Sequence, residues 1–299
     1  MSTHQNRRRF LCLSASVLAA GPVLGATAHG PAHWRGRVLG AAASMTISGL
    51  DQRDAAPVCH RIEAELARLE AIFSLYRPDS ELARLNAEGH IAHPSPELLD
   101  LLSLSASLYQ ASGGAFDPTV QPLWRARALG RSETALARGF QHLRYDATKI
   151  SFAQPGMGLT LNGIAQGYIT DRIAALMRSE GLKDILVDMG EISALGRSPD
   201  GNVWRAGISA PDGEILQRVT LQDRALATSA GNGTRLGDGG SHILDPRSGK
   251  GADLARLISV SAPSAALADG LSTALCLLSE TEAADLLQQF PGAHLEYRS

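Results

Sequence analysis

Residues 265–275 read AALADGLSTAL and place Asp269 and Thr273 four residues apart in a segment with helical apolar spacing. Residues four apart lie on one face of a helix, so both side-chain oxygens project in the same direction. Mg2+ binds oxygen ligands in near-octahedral geometry and takes one or two of them from protein side chains. The pattern therefore allows a metal site, but the spacing alone does not establish one. The alternative is that Asp269 caps a helix and Thr273 bonds to its own turn, which is common for an isolated D-x-x-x-T.

A second polar stretch is the glycine turn Asn162, Gly163 and Ile164, which precedes AQGYITDR. We expect a strand before this turn and a helix after it, ending at Gly181. Backbone N–H groups at a helix start are free to bind an anion, so the order strand, turn, helix predicts an anion site. The turn matches neither G-x-x-x-x-G-K-[ST] nor G-x-G-x-x-G.

Helical and strand patterns are interspersed without regular β-α-β alternation, which predicts an α+β fold with mixed, mostly antiparallel sheets and packed helices. Residues 149–152 and 159–161 are expected to form a hairpin around QPGMG, and residues 203–209 and 215–221 a second one across PDG. Residues 37–48 are expected to form one strand interrupted at a glycine. The other main elements are helices at 56–73, 96–111 and 282–290 and strands at 185–189, 225–228 and 257–261.

Composition places the chain among globular proteins with a sizeable core, since 44% of its 299 residues are hydrophobic. The formal net charge is −2, and no long run of basic residues occurs. Both observations argue against nucleic acid or an anionic membrane surface as a partner.

The N-terminal residues have the features of an export signal. RRRFL at 7–11 matches a twin-arginine signature, an apolar run follows at 11–24, and A-T-A at 26–28 matches a cleavage site. We expect a leader at 1–28, one domain at 29–299, a periplasmic location and no stable membrane insertion after cleavage. Loss of three arginines then changes the net charge from −2 to −5. The alternative is that the leader remains as an uncleaved anchor.

Five stretches in one order resemble the ApbE family of FAD:protein FMN transferases. They are FSLYRPDSELARLN, GGAFDPTVQPLW, GIAQGYITDR, SHILDPRSG and LADGLSTAL. Each is weak alone, but together they cover most of the chain after the leader. The resemblance implies an ApbE-like fold with FAD in a cleft.

The resemblance also implies the chemistry. FAD is cleaved at its pyrophosphate, FMN is joined to a threonine or serine hydroxyl of an acceptor protein, and AMP leaves. In the family, Mg2+ is held by the aspartate and threonine that match Asp269 and Thr273, together with a backbone carbonyl that matches Gly163. His242 is then the candidate base or proton relay, Asp245 could orient it, and Arg247 could hold phosphate charge. The alternative for HILDP is a strand that enters a proline turn.

The same resemblance implies contacts with FAD. Tyr76 would stack on a ring, and the remaining candidate contacts are Leu39, Ala115, Phe116, Asp117 and Ile243. The chain departs from the family pattern at Thr160, where aspartate is usual, and at Gln166, where lysine is usual. Loss of a lysine near phosphate removes a cation that would help to bind FAD.

Three functions follow from these observations. The first is Mg2+-dependent transfer of FMN from FAD to an acceptor protein. The export signature indicates that the acceptor is a periplasm-facing domain of a membrane redox complex. The second is an FAD pyrophosphate hydrolase that releases FMN and AMP. The third is a non-catalytic FAD-binding carrier, which the changes at Thr160 and Gln166 favour.

Overall fold

The computed structural model describes residues 16–17, 30–131, 137–210 and 212–299. Within these ranges the helices are α1 (Ala56–Phe73), α2 (Glu81–Glu88), α3 (Pro96–Ala111), α4 (Gln121–Ala128), α5 (Ala165–Ser179), α6 (Ala265–Leu275) and α7 (Glu280–Gln288). The strands are β1 (Ser16–Val17), β2 (Ala32–Val38), β3 (Ala41–Ile47), β4 (His90–Ala92), β5 (Leu143–Tyr145), β6 (Lys149–Phe152), β7 (Ile185–Asp188), β8 (Ile192–Leu195), β9 (Trp204–Ser209), β10 (Ile215–Leu221), β11 (Arg224–Ala230), β12 (Leu257–Ala262) and β13 (His294–Arg298).

The central sheet has seven strands in the order β13-β12-β11-β8-β7-β3-β2, and each neighbouring pair is antiparallel. Two three-stranded antiparallel sheets accompany it, β1-β9-β10 and β4-β6-β5. The predicted α+β class is confirmed. The predicted hairpin across PDG is also present, since β9 and β10 pair directly.

The two faces of the central sheet are covered by different layers. One face packs against α1, α5 and α6 in the main hydrophobic core, which includes Ile169, Leu271 and Val260. The other face packs Ile192 against Trp204 of β9 in a second core. This double coverage explains why every residue of β12 is buried and why its sequence does not alternate.

The predicted hairpin of residues 149–152 and 159–161 is wrong. Strand β6 pairs instead with β5 and β4. Residues around Leu159 form no strand because other groups satisfy their backbone: the Asn86 side chain donates to the Leu159 carbonyl and accepts from its N–H, at 2.8 and 2.7 Å. The Thr160 N–H donates to the Pro118 carbonyl at 2.8 Å. These bonds hold the segment that leads into Gly163.

The single interrupted strand predicted at 37–48 is also wrong, because the chain reverses there to form the β2–β3 hairpin. Leu39 and Gly40 make the turn with φ of 47° and 93°. Positive φ is ordinary for glycine and costly for leucine. The Glu70 carboxylate accepts the Leu39 N–H at 2.8 Å and so holds this turn against α1.

Most of the predicted leader at 1–28 lies outside the described residues. Within it, the backbone of β1 pairs with β9. The leader and the domain at 29–299 therefore stay predictions. In the part of the chain that the structure describes, none of the helices combines the length and apolar character that a membrane crossing requires.

Helices α5 and α6 approach each other closely at Gly167 and Ala265. A Cβ on Gly167 would lie 2.3 Å from the Ala265 carbonyl oxygen, so only glycine permits this contact. From the same face of α5, Asp171 accepts the N–H groups of Ala265 and Ala266 at 2.7 and 2.9 Å. These are the first residues of α6, whose N–H groups have no partner within the helix. Asp171 therefore fixes where α6 begins.

We predict that Asp171→Ala lowers the free energy of unfolding by about 2–3 kcal/mol, because two buried N–H groups lose their acceptor. Urea unfolding measures this loss. The matched control is Asp146→Ala, which removes an exposed carboxylate that accepts the Thr148 and Lys149 N–H groups at 2.7 and 3.0 Å. Water can replace it, so the control should lose less than about 1 kcal/mol. Equal losses in the two variants would contradict the role given to Asp171.

Candidate active site

A cavity opens where the start of α5 meets the middle of α6. Its wall also includes the β2–β3 turn, the loop after α1, the GGAFDP loop, the start of α4, and residues on β11 and in the 233–244 loop. Twelve of the fourteen candidate residues lie in this wall. They are Leu39, Tyr76, Ala115, Phe116, Asp117, Thr160, Gly163, Gln166, His242, Ile243, Asp269 and Thr273.

Asp245 and Arg247 are the two candidates that the structure does not place in the wall. Their side chains pair with each other, with Arg247 Nε 3.0 Å from Asp245 Oδ1. The prediction that Asp245 orients His242 is wrong, because the hydrogen bonds of that ring go to the Thr234 backbone. The reason is the turn after HILD, where Asp245 instead accepts the Arg247 N–H at 2.8 Å.

The predicted metal ligands meet at the junction of the two helices. Asp269 is buried, and its Oδ2 accepts the Gly167 N–H at 3.1 Å. Thr273 Oγ1 lies 3.5 Å from the Gly163 carbonyl oxygen. Asp269 is not the helix cap, because Ser264 performs that role by accepting the Leu267 N–H. The structural alternative for this aspartate is therefore excluded.

The cavity is acidic. Asp117, Glu191 and Asp269 belong to its wall, and the described residues contribute no lysine or arginine to it. Burial raises the pKa of Asp269 to about 7. Burial, and next the charge of Asp269, raise the pKa of Glu191 well above its ordinary value. Each shift has the same cause, since a carboxylate removed from water without a cation is unfavourable.

These donors fit a hard cation. Carboxylate, hydroxyl and carbonyl oxygens are the ligands that Mg2+ prefers. At 3.5 Å the Thr273 and Gly163 oxygens are too far apart for a strong O–H···O bond, which is about 2.5–3.0 Å. Both oxygens are therefore available to another ligand.

The wall residue Asp117 has a different role, because its two oxygens accept the Thr119 and Phe140 N–H groups at 2.8 and 3.1 Å. Its carboxylate therefore secures the GGAFDP loop.

His242 is held by its Nδ1 atom, which lies 3.1 Å from the Thr234 carbonyl oxygen. In the tautomer with hydrogen on Nδ1, the ring donates to this carbonyl and Nε2 keeps a lone pair. In the other tautomer Nδ1 accepts the Thr234 N–H at 3.3 Å and Nε2 carries the hydrogen. Burial lowers the pKa of His242 below its ordinary value, which favours the neutral ring, and the first tautomer can accept a proton on Nε2.

The apolar part of the wall suits a flat ring system. Leu39, Phe116, Ile243 and Trp124 contribute to it, and Tyr76 lies at the edge with 62% of its surface exposed. Sequence analysis did not select Trp124, although it is the last residue of the recognised GGAFDPTVQPLW stretch.

Glu191 is another wall residue that was not among the candidates. It follows the buried strand β7, and its Oε2 accepts the Thr228 N–H at 3.2 Å. The sequence feature that could have identified Glu191 is a charged residue that directly follows a buried strand and a glycine. Gln166, at the position where lysine was expected, directs Nε2 to the Met189 carbonyl at 3.5 Å and packs against Gly190.

Comparison with known proteins gives the family. The sequence model of the ApbE family matches residues 39–295. The chain belongs to the ApbE family. An FAD:protein FMN transferase from Salmonella typhimurium is 28% identical, over 94% of this chain and 89% of that protein.

Solved structures from the ApbE family share the fold. The flavin transferase ApbE from Vibrio cholerae superposes with a TM-score of 0.75 and 25% identity, over 90% of this chain and 97% of that one. The apo form of the flavinyl transferase ApbE from Pseudomonas stutzeri has a TM-score of 0.74 and 30% identity, over 87% and 88% of the two chains.

We predict that Glu191→Gln stabilises the protein in EDTA, and that its advantage over wild type grows with pH. A folded-state pKa above the ordinary value near 4.5 means that wild-type stability falls as pH rises from 4.5 towards the folded pKa. Glutamine keeps an oxygen for the Thr228 N–H but carries no charge. Urea unfolding at pH 5, 6.5 and 8 measures the difference.

The control for this comparison is Glu214→Gln, which changes an exposed acid outside the cavity wall. It should show no comparable trend with pH. An advantage of Glu191→Gln that shrinks as pH rises would contradict the electrostatic description of the cavity.

Proposed function

We propose that this chain transfers FMN from FAD to a threonine or serine hydroxyl of an acceptor protein in an Mg2+-dependent reaction that releases AMP. The observation that carries the proposal is an acidic cavity whose described wall holds no lysine or arginine. A pyrophosphate bears negative charge, so it can bind beside Asp269 and Glu191 only together with a cation. Membership of the ApbE family supplies the substrate.

Different residues of the cavity would bind different parts of FAD and its cation. Asp269, Thr273 and the Gly163 carbonyl would hold the cation. The Ala165 and Gly167 N–H groups at the start of α5 bond instead to the Leu161 carbonyl and to Asp269, so the anion site expected there from the sequence is not free. The apolar wall with Phe116 and Tyr76 receives the flavin ring. The cation, when bound, neutralises charge that develops on the phosphoryl oxygens.

The reaction is a displacement at the phosphorus of the FMN half. The acceptor oxygen forms a bond to this phosphorus, the bond to the bridging oxygen breaks, and AMP leaves with that oxygen. His242 takes the hydroxyl proton on Nε2. The proposal gives Asp245 and Arg247 no step, since they pair with each other and neither is in the cavity wall.

The acceptor that best suits the export signature at 7–11 is a periplasm-facing domain of a membrane redox complex. A periplasmic location for this chain rests on the same signature. Deleting the gene and recording mass spectra of periplasmic proteins tests both ideas. Acceptors that stay fully flavinylated without this chain would exclude them.

The carrier function is supported by Gln166, which supplies no positive charge where lysine is expected, and by Thr160. Incubation with FAD and Mg2+ separates the candidates. AMP release that depends on acceptor indicates the transferase, and steady release without acceptor indicates the hydrolase. Tight FAD binding with no AMP release in either case indicates the carrier.

We predict that Asp269→Ala abolishes Mg2+-dependent transfer, because the cation loses its only charged ligand among the three proposed. Mass spectrometry of the acceptor, which gains one FMN group in the wild-type reaction, measures the loss. Asp245→Ala is the control, since it removes a carboxylate that lies outside the cavity wall. Wild-type transfer by Asp269→Ala would refute the metal assignment.

We predict that His242→Ala retains FAD binding and loses transfer. The wild-type rate should fall as the pH drops, and the midpoint of this fall should lie below 6.5. The reason is that the midpoint of the pH profile follows the lowered pKa of His242 in the folded protein. Flavin fluorescence measures binding, and initial rates between pH 5 and 8 measure transfer. A variant that keeps the wild-type rate and pH profile would exclude His242 as the base.

A further inference from the structure

A row of hydroxyl groups connects Thr273 with Ser229 of β11 and with Ser272 of α6. Ser229 Oγ on β11 lies 3.4 Å from Thr273 Oγ1 and 2.8 Å from Ser272 Oγ. Ser272 is fully buried, and its Oγ donates to the Asp269 carbonyl at 3.0 Å. The row therefore links the two proposed metal-binding residues of α6 through a neighbouring strand.

The directions of these hydrogen bonds follow from counting hydrogens. Each hydroxyl has one hydrogen, and a carbonyl can only accept. Ser272 gives its hydrogen to the Asp269 carbonyl, so Ser229 must be the donor to Ser272. With its own hydrogen used, Ser229 can only accept from Thr273.

This order determines how Thr273 faces the cavity. Its hydrogen is directed at Ser229, so its lone pairs remain for a ligand and the Gly163 carbonyl keeps its own. The alternative, donation from Thr273 to Gly163 at 3.5 Å, would turn a hydrogen towards the space that the cation needs. A cation on Thr273 Oγ1 withdraws electron density and makes this hydroxyl a better donor, which strengthens the bond to Ser229.

We infer that Ser229 and Ser272 are positioning residues that orient the Thr273 hydroxyl as a cation ligand. This inference rests on the metal site of the proposed function. Partners of metal ligands typically contribute about 10–100-fold to metal affinity. Both serines would act on the cation through Thr273. Ser229 also belongs to the cavity wall, whereas Ser272 is fully buried.

The test measures binding of Mn2+ by electron paramagnetic resonance in the presence of FAD, with Mg2+ as competitor. Ser229→Ala should raise the dissociation constant of Mn2+ about tenfold or more. In a Thr273→Val background the same substitution should have no further effect, because the hydroxyl that it orients is gone.

The matched control is Ser259→Ala. Like Ser272, Ser259 is fully buried and bonds a hydroxyl of β11, that of Thr228 at 2.9 Å. It lies outside the cavity wall, whereas Ser229 is half-buried and belongs to the wall. It should change thermal stability without changing Mn2+ affinity. A rise in the dissociation constant as large as that of Ser229→Ala would indicate a general packing effect and overturn the inference.

The outcomes separate this inference from the proposed function. If wild type binds no Mn2+, or Asp269→Ala binds it equally well, the proposed metal site fails. If wild type binds Mn2+ and Asp269→Ala does not, but Ser229→Ala binds as wild type, only the inference fails. An equal effect of Ser229→Ala with and without the Thr273 hydroxyl would also overturn it.

Discussion

The close contact between the beginnings of α5 and α6 is the constraint on which the site depends. Gly167 removes the side chain that would separate the helices, and its N–H binds Asp269. Asp171, one turn further along α5, binds the first N–H groups of α6. Each helix thus supplies an acceptor to the other, so the relative position of Asp269 and the glycine turn is fixed by backbone groups.

The same contact buries carboxylates in a cavity whose described wall contains no lysine or arginine. Asp269 and Glu191 are buried near each other, and burial raises the pKa of both. Buried carboxylates without a counterion are unfavourable in a folded protein, and they commonly mark functional sites. A cation bound by Asp269 would offset part of this negative charge, so we expect the folded protein to be more stable with the cation bound than without it.

Sequence patterns predicted local structure well where residues close in sequence supply the interactions that stabilise the element. Helices α1 and α3 have the predicted bounds, because each has apolar residues on one face and a proline near its start. The pairing around Leu159 was wrong since a side chain distant in sequence, Asn86, satisfies that backbone. No local pattern reports a bond between residues 73 positions apart.

The candidate site was predicted largely from family resemblance, and the limits of the prediction are physical. Asp269 and Thr273 are visible in one helix turn, but Gly163 is 110 residues away and only the fold brings it near. Glu191 was missed because a lone acid after a strand resembles a surface residue. Asp245 was misassigned because closeness in sequence to His242 does not give contact when a turn intervenes.

The β2–β3 turn shows how the fold gives up some ease of folding for the shape of the cavity. Leu39 adopts a left-handed backbone that glycine or asparagine would enter more readily, and for other residues this costs about 1–2 kcal/mol. Its isobutyl group is nevertheless part of the wall. A sequence optimised only for thermal stability would replace Leu39. The rings of a bound nucleotide would then have a gap beside the β2–β3 turn.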